Sequence, residues 1–358
     1  MEKFRPYLLG TLLYASILAG SAFFWHNKFW PVQTWPDQVA VTSEEQYITL
    51  LFAGDIMLDR GVEWQMTQHK DPRSAEAYSE GDPRSAVAPG EGDWLWPFRN
   101  IAKDIQKADI AFANLESQIS DQGENVGSIY SFRADPKTLN GLVFAGFDIL
   151  SAANNHSLDY GMPALRDSIS RLRTAGIIPV GAGENATEAY APAVIETKGA
   201  RVAFLAYTSQ GSPAWKAGAQ NPGIAWADAS NLSEIAERIR AIKETADIVA
   251  VSIHAGTEYQ KEPDSFQKMF SEAAADAGAD IIVNHHSHVA QSVERYKKSW
   301  IAYGLGNFVF DQGFSKETME GTLLKVLIDK KTKSVTRVTP LVVIISPEFQ
   351  PAISTESM

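Results

Sequence analysis

The sequence contains no cysteine. That removes disulfide frameworks, thiolate-held zinc, iron–sulfur clusters and thiol nucleophiles. Positive charge is also scarce: 32 Lys and Arg stand against 43 Asp and Glu, for a formal net charge of −11 over 358 residues. That balance argues against nucleic acid, or an anionic membrane surface, as the main partner. It leaves room for a local basic patch. Neither a G-x-S-x-G nucleophile elbow nor a G-x-x-x-x-G-K-S/T phosphate loop occurs. Hydrophobic residues make up 45% and charged residues 21%, which excludes disorder as the main state. The length allows one large domain or two ordinary ones, and either buries a sizeable core.

One long uncharged run is present. Residues 7–25 read YLLGTLLYASILAGSAFFW. As a helix this run spans about 29 Å, close to the roughly 30 Å of a bilayer's hydrocarbon core. Lys3 and Arg5 precede it, and Trp25, Trp30 and Trp35 follow it. The sequence therefore predicts an N-terminal membrane anchor over residues 1–28, in a cell membrane, single-pass, with everything after it extracytoplasmic. A cleaved signal peptide is the main alternative, because LAGSA resembles a cleavage site, although a leader's apolar core is usually about 7–15 residues. A buried core helix is the other.

Residues 29–46, with Pro31 and Pro36, read as a linker. The main domain is expected over 47–345, with a loop insertion at 71–93 that contains DPRSA twice, and a frayed tail at 346–358. Within the domain, helical and strand patterns alternate. YITLLFAGD, DIAFAN, DILSAAN, IIPVGAG, DIVAVSIH and DIIVNHH are short apolar runs, and helical patterns at 101–107, 136–147, 162–175, 232–245 and 265–277 separate most of them. A Lys198–Gly199 turn suggests a hairpin between 193–196 and 201–207. Such alternation, with continuously apolar strands, implies an α/β fold with buried sheets.

Polar residues gather where these strands end, the side on which α/β sheets bind ligands. Asp55, Asn114, Glu116, Asn154, Asn155, His156, Asp159, His254, Glu258, His285, His286 and His288 all fall there, including five of the 7 histidines. Histidine with Asp, Glu and Asn is a nitrogen and oxygen donor set suited to Mn, Fe or Zn, and its oxygen-rich versions suit Mg. Each residue alone has a structural alternative: Asp55 as a helix cap, Asn154 and Asn155 as turn residues, a lone His as a hydrogen-bonded core residue. The coincidence of so many positions favours a site.

The motifs GDIMLDR (54–60), NLE (114–116), ANNHSLDYG (153–161), HAGTEY (254–259), NHHSHV (284–289) and YGLGNFVFDQ (303–312) together resemble the CapA-type poly-γ-glutamate capsule biosynthesis proteins of the calcineurin-like metallophosphoesterase superfamily. The resemblance covers roughly residues 47–311. It implies a four-layer α/β/β/α sandwich and a membrane-anchored N-terminus. It implies one or two divalent metal ions held by Asp55, Glu116, Asn155, His254, His286 and His288, with His156 assisting a leaving group. It places Arg60, Asp159, Glu258 and Asn307 at the substrate, and leaves His285 outside the ligand set. The superfamily opening is Asp-x-His. Here it is Asp55-Ile56-Met57, so one imidazole is missing, and Asp59 could fill the vacancy. Glu116 replaces a bridging aspartate, and Ala255 replaces a tryptophan, which would widen the pocket.

Three functions follow. The resemblance implies a part in synthesis or export of poly-γ-glutamate, in contact with membrane synthase or export subunits. The anionic polymer would need bound cations and a basic patch (Arg60, Arg133) to offset the net-acidic chain. A metal-dependent hydrolase of a phosphoester or amide is the alternative, with water activated by metal and His156 as acid. A non-catalytic scaffold is the third.

Overall fold

The computed structural model describes residues 46–70 and 92–355. The expected anchor, the linker up to residue 45 and most of the DPRSA insertion lie outside the described residues. Among the described residues, no helix is long and apolar enough to cross a membrane.

Two sheets carry the domain. The larger runs, in spatial order, Pro351–Ile353, Ser334–Ile345, Glu320–Asp329, Tyr47–Ile56, Ile110–Leu115, Ile149–Ser151 and Ile178–Val180, with Asn307–Val309 also paired to Tyr47–Ile56. The four strands from Tyr47–Ile56 to Ile178–Val180 are parallel. The second sheet runs Val293–Tyr296, Ser299–Ala302, Ile281–His285, Ile248–His254, Ala200–Thr208 and Ala193–Thr197. Its three central pairings are parallel.

The side-chain alternation of a strand explains the layering. Leu50 and Phe52 point between the sheets, where they meet Val202, Phe204, Ile248 and Ile281. Phe112 stacks on Phe204 at 6.0 Å between ring centres. Leu51 and Ala53, on the opposite face, pack with Val62, Met66, Ile105 and Leu142 of the helices Arg60–Gln68, Ala102–Ile105 and Leu139–Ala145. The outer face of the second sheet is covered by Ile235 and Ile239 of Leu232–Lys243 and Phe270 and Ala274 of Ser265–Asp276. Both faces of the central strands are buried, which is why they read as unbroken apolar runs. In the Lys198–Gly199 turn both residues have positive φ (47° and 79°), the conformation of a tight two-residue hairpin.

Three differences from the sequence reading stand out. Arg60–Gln68 is a helix, capped by Asp59, whose side chain accepts from the Arg60 amide at 2.7 Å. The expected frayed tail is shorter than 346–358, because Pro351–Ile353 pairs antiparallel with Ser334–Ile345. Ala255 lies in the apolar core behind the second sheet. It does not shape the cavity described below.

Candidate metal centre

Register brings the first group of polar side chains together. Asp55 sits directly opposite Asn114 on one neighbouring strand and Asn307 on the other. Glu116 follows as the strand Ile110–Leu115 ends, its amide donating to the Ile56 carbonyl at 2.7 Å. In the second sheet His254 pairs with Thr208 and His285 at the same end. His286 and His288 then leave the strand with φ of 86° and 55°. Positive φ is uncommon for non-glycine residues, and clusters of it mark sites that the surrounding structure holds in place. The His286 amide donates to Asp55 Oδ2 at 3.2 Å, tying the two sheets together at this point.

The side chains converge on one oxygen. Glu116 Oε1 is buried and has no hydrogen-bond partner. Around it lie His288 Nε2 at 3.6 Å, His156 Nε2 at 3.8 Å and His254 Nε2 at 4.0 Å. His254 Nε2 is in turn 2.7 Å from Asn155 Oδ1 and 3.1 Å from His286 Nδ1. His288 Nδ1 is 3.6 Å from Asp55 Oδ2. Separations between neighbouring donors of a single cation are about 3.0–3.5 Å when each bond is about 2.0–2.2 Å. The observed spacings are close to those of a ligand shell and mostly too long for hydrogen bonds. Two groups, Asp55–Glu116–His288 and Glu258–His286–His288, each offer three ligand atoms within 4.8 Å of one another.

Protonation points the same way. Burial holds His254 and His288 below the ordinary imidazole range and brings His286 down to about 3. Three neutral imidazoles are the form that binds metal. Burial pushes Glu116 well up, and the Asp55 charge pushes in the same direction. Burial also acts to raise Asp55, but His285, His288 and Asn114 outweigh it and hold Asp55 below its usual value. A buried carboxylate oxygen without a hydrogen-bond partner, ringed by imidazoles, is costly until a cation sits among them. The residues present fit a divalent ion with nitrogen and oxygen ligands and no sulfur.

The other residues expected at the site fall into place around this cluster. His156 donates through Nδ1 to Asp159 Oδ2 at 2.7 Å, which directs its Nε2 toward Glu116. Asp159 also accepts from the Phe132 amide at 2.8 Å and is almost wholly buried, so it positions His156. Asn307 Oδ1 holds His288 Nδ1 at 3.0 Å, while its amide nitrogen donates to the Thr318 carbonyl at 2.9 Å. Asn307 is fully buried and acts through His288. Arg60 pairs with Asp311 and lies over the Phe132 ring, its guanidinium carbon 4.6 Å from the ring centre. Arg133 is turned to the Tyr160 ring and to the carbonyls of Gln122 and Gly123. Asp59 does not fill the vacant ligand position: one oxygen caps its helix and the other accepts from the Arg133 amide at 2.8 Å. The Met57 sulfur accepts from the Asp59 amide at 3.1 Å. His285 is buried with both ring nitrogens unpartnered. Its Nδ1 lies 3.2 Å from Asp55 Oδ1 without hydrogen-bond geometry.

Asn155, His156, His286 and His288 of this cluster reach a cavity of about 880 Å³, which Arg60 and Glu258 line together with Tyr130, Phe132, Trp215, Tyr259, Phe310 and Phe314. Asp55, Glu116 and His254 are buried and do not line it. Among the described lining residues Arg60 is the only arginine or lysine, and Asp159, Glu258 and Asp311 are acidic. Sequence reasoning missed this aromatic wall, because Tyr130, Trp215 and Phe314 come from separate loops with no shared period.

The role of Asn307 gives a measurable expectation. Asn307→Leu removes the acceptor that fixes His288 Nδ1. Mn²⁺ affinity, read by titration calorimetry, should weaken about 10- to 100-fold. Asn307→Asp keeps an acceptor and should recover most of it. Unchanged affinity in Asn307→Leu would show that His288 needs no such support.

The chain matches the family described as "Bacterial capsule synthesis protein PGA_cap" over residues 49–312. It is 31% identical over 307 residues to the capsule biosynthesis protein CapA of Bacillus anthracis, covering 83% of this chain and 68% of that one. It is 30% identical over 325 residues to the PGA biosynthesis protein CapA of Bacillus subtilis, covering 89% and 76%. Among solved structures it is similar to a candidate 5'-nucleotidase from Staphylococcus aureus, crystallised with α-ketoglutarate, at 17% identity and a TM-score of 0.50. That alignment covers 87% of this chain and 56% of the longer nucleotidase chain, and it shows a shared fold.

Proposed function

Because the chain belongs to the bacterial capsule synthesis protein PGA_cap family, we propose that it acts in making or exporting a poly-γ-glutamate-type envelope polymer, as a metal-dependent hydrolase anchored in the cell membrane. The relatives named for capsule and PGA biosynthesis support the polymer. The uncharged run at residues 7–25 supports the anchor, with the catalytic domain outside the membrane and within reach of synthase or export subunits. The observation that carries the hydrolase reading is the unpartnered Glu116 Oε1 amid three imidazole nitrogens.

Asp55, Glu116, Asn155, His254, His286 and His288 would hold the ion or ions, of Mn, Fe, Zn or Mg type. A divalent ion there would supply Lewis-acid activation of substrate and water. The chain's own groups do the rest. Asp159 takes the Nδ1 proton contact of His156 and leaves its Nε2 facing the cavity. Nε2 first takes up a proton. The imidazolium, held by the Asp159 carboxylate, then passes that proton to a departing amine or alkoxide and returns to the neutral ring. Among the described lining residues Arg60, paired with Asp311, is the only arginine or lysine that can meet a carboxylate or phosphate of the substrate. With so many acidic side chains around it, the cavity can admit a polyanion only when cations offset their charge.

Incubation of Mn²⁺-loaded protein with γ-linked glutamate oligomers, and separately with a phosphodiester, tests this. The expected result is metal-dependent cleavage of one class, lost in His156→Ala with metal content retained. Loaded protein that cleaves neither would overturn the hydrolase reading.

A further inference from the structure

Glu258 lies four residues beyond the end-of-strand His254, in a segment with no regular secondary structure. Position alone suggests a substrate contact. Its surroundings suggest otherwise. A carboxylate oxygen of Glu258 lies within 4.8 Å of ligand nitrogens of both His286 and His288. Both imidazoles are buried. The segment that carries Glu258 is fixed to the segment that carries the histidines. The Tyr259 amide donates to the Ser287 carbonyl at 2.8 Å, and Gln291 Nε2 donates to the Gln260 carbonyl at 2.7 Å. The Gly256 carbonyl accepts from Gln210 Nε2 at 2.9 Å. Tyr259, with φ of 61°, stacks on the His288 ring at 5.9 Å.

The donor inventory shows why a carboxylate is useful at this point. The Asp55-Ile56-Met57 opening lacks an imidazole, the Met57 sulfur is engaged by a main-chain amide, and Asp59 is committed to backbone groups.

We infer that Glu258 is a metal ligand, closing with His286 and His288 an ion position on the cavity wall. The inference rests on the reading of the cavity as a metal centre and adds a ligand to it. A third carboxylate beside Asp55 and Glu116 makes the donor set richer in hard oxygen, which suits an ion such as Mn²⁺.

Titration of the full chain, stripped of metal, with Mn²⁺ by calorimetry tests the assignment without recourse to activity. Glu258→Gln keeps shape and removes the ligand charge. The expected result is Mn²⁺ affinity weaker by about 10- to 100-fold, or loss of one binding event. Glu258→Asp should restore part of it. Glu262→Gln, a nearby exposed carboxylate, should leave the isotherm unchanged. A Glu258→Gln isotherm within twofold of the parent would overturn the assignment and return Glu258 to a substrate contact. Comparable weakening in Glu262→Gln would also overturn it, by reducing the effect to surface charge. A parent chain that takes up no Mn²⁺ would overturn the metal centre itself, a distinguishable outcome.

Discussion

The double variant His254→Ala/His286→Ala is expected to lose bound divalent metal almost entirely while keeping its fold. His254 Nε2 and His286 Nδ1 lie 3.1 Å apart, and neither is charged where burial holds it. His254 also bonds Asn155 Oδ1 at 2.7 Å and Asn114 Nδ2 at 3.2 Å, so truncation costs the volume removed and these buried hydrogen bonds, and the apo variant should fold with reduced stability. The parent should gain about 2.7 kcal/mol of stability at a Mn²⁺ concentration one hundred times its dissociation constant. The variant should gain none. Chemical unfolding with Mn²⁺ and with EDTA, beside metal analysis of the purified protein, gives both readings. A variant that still shows Mn²⁺-dependent stabilisation would remove these histidines from the site.

Gly54→Ala should have a large effect on folding, because the added methyl falls on backbone near the centre. A Cβ at residue 54 would meet the Gly306 carbonyl oxygen at 2.0 Å. That carbonyl accepts from the Asp55 amide at 3.0 Å, and the next residue is Asn307, which holds His288. The obstacle is backbone on both sides, so a rotamer change gives no relief. Overpacking typically costs about 1–3 kcal/mol, and a clash against backbone belongs at or above the top of that range. Equilibrium urea unfolding in EDTA should show a loss of about 3 kcal/mol or more, with weaker Mn²⁺ binding in whatever folds. Gly313→Ala, where an added Cβ meets nothing within 4 Å, is the control and should change stability by less than about 0.5 kcal/mol. Equal stability in the two variants would show that the Tyr47–Ile56 strand can move away from Gly306.

Much of this architecture is legible in the sequence, for a physical reason. The central strands are buried on both faces, so YITLLFAGD, DIAFAN and DIIVNHH appear as unbroken apolar runs, and the polar residues that follow mark where each strand leaves the sheet. Of the residues named from those exits, His156, His254 and His288 come within 4.0 Å of Glu116 Oε1. What stayed hidden depends on contacts between distant segments. The helix Arg60–Gln68 buries only Val62 and Met66, too short a stripe to register as a period. The resemblance puts Asn307 and Asp159 at the substrate; the hydrogen bonds that also make them supports for His288 and His156 join segments that no spacing rule connects. The committed positions of Asp59 and Met57 follow from a helix cap and a turn that no spacing rule reveals. Ala255 follows His254 directly, but the alternation of the strand sends it to the apolar core behind the sheet.

Anomalous diffraction from crystals of the full chain grown with Mn²⁺ tests the central claim most directly. The account predicts a manganese peak on the cavity floor, within about 2.0–2.3 Å of donor atoms from Asp55, Glu116, His254, His286 or His288. Manganese found only on surface carboxylates, with this cavity free of any peak, would contradict it.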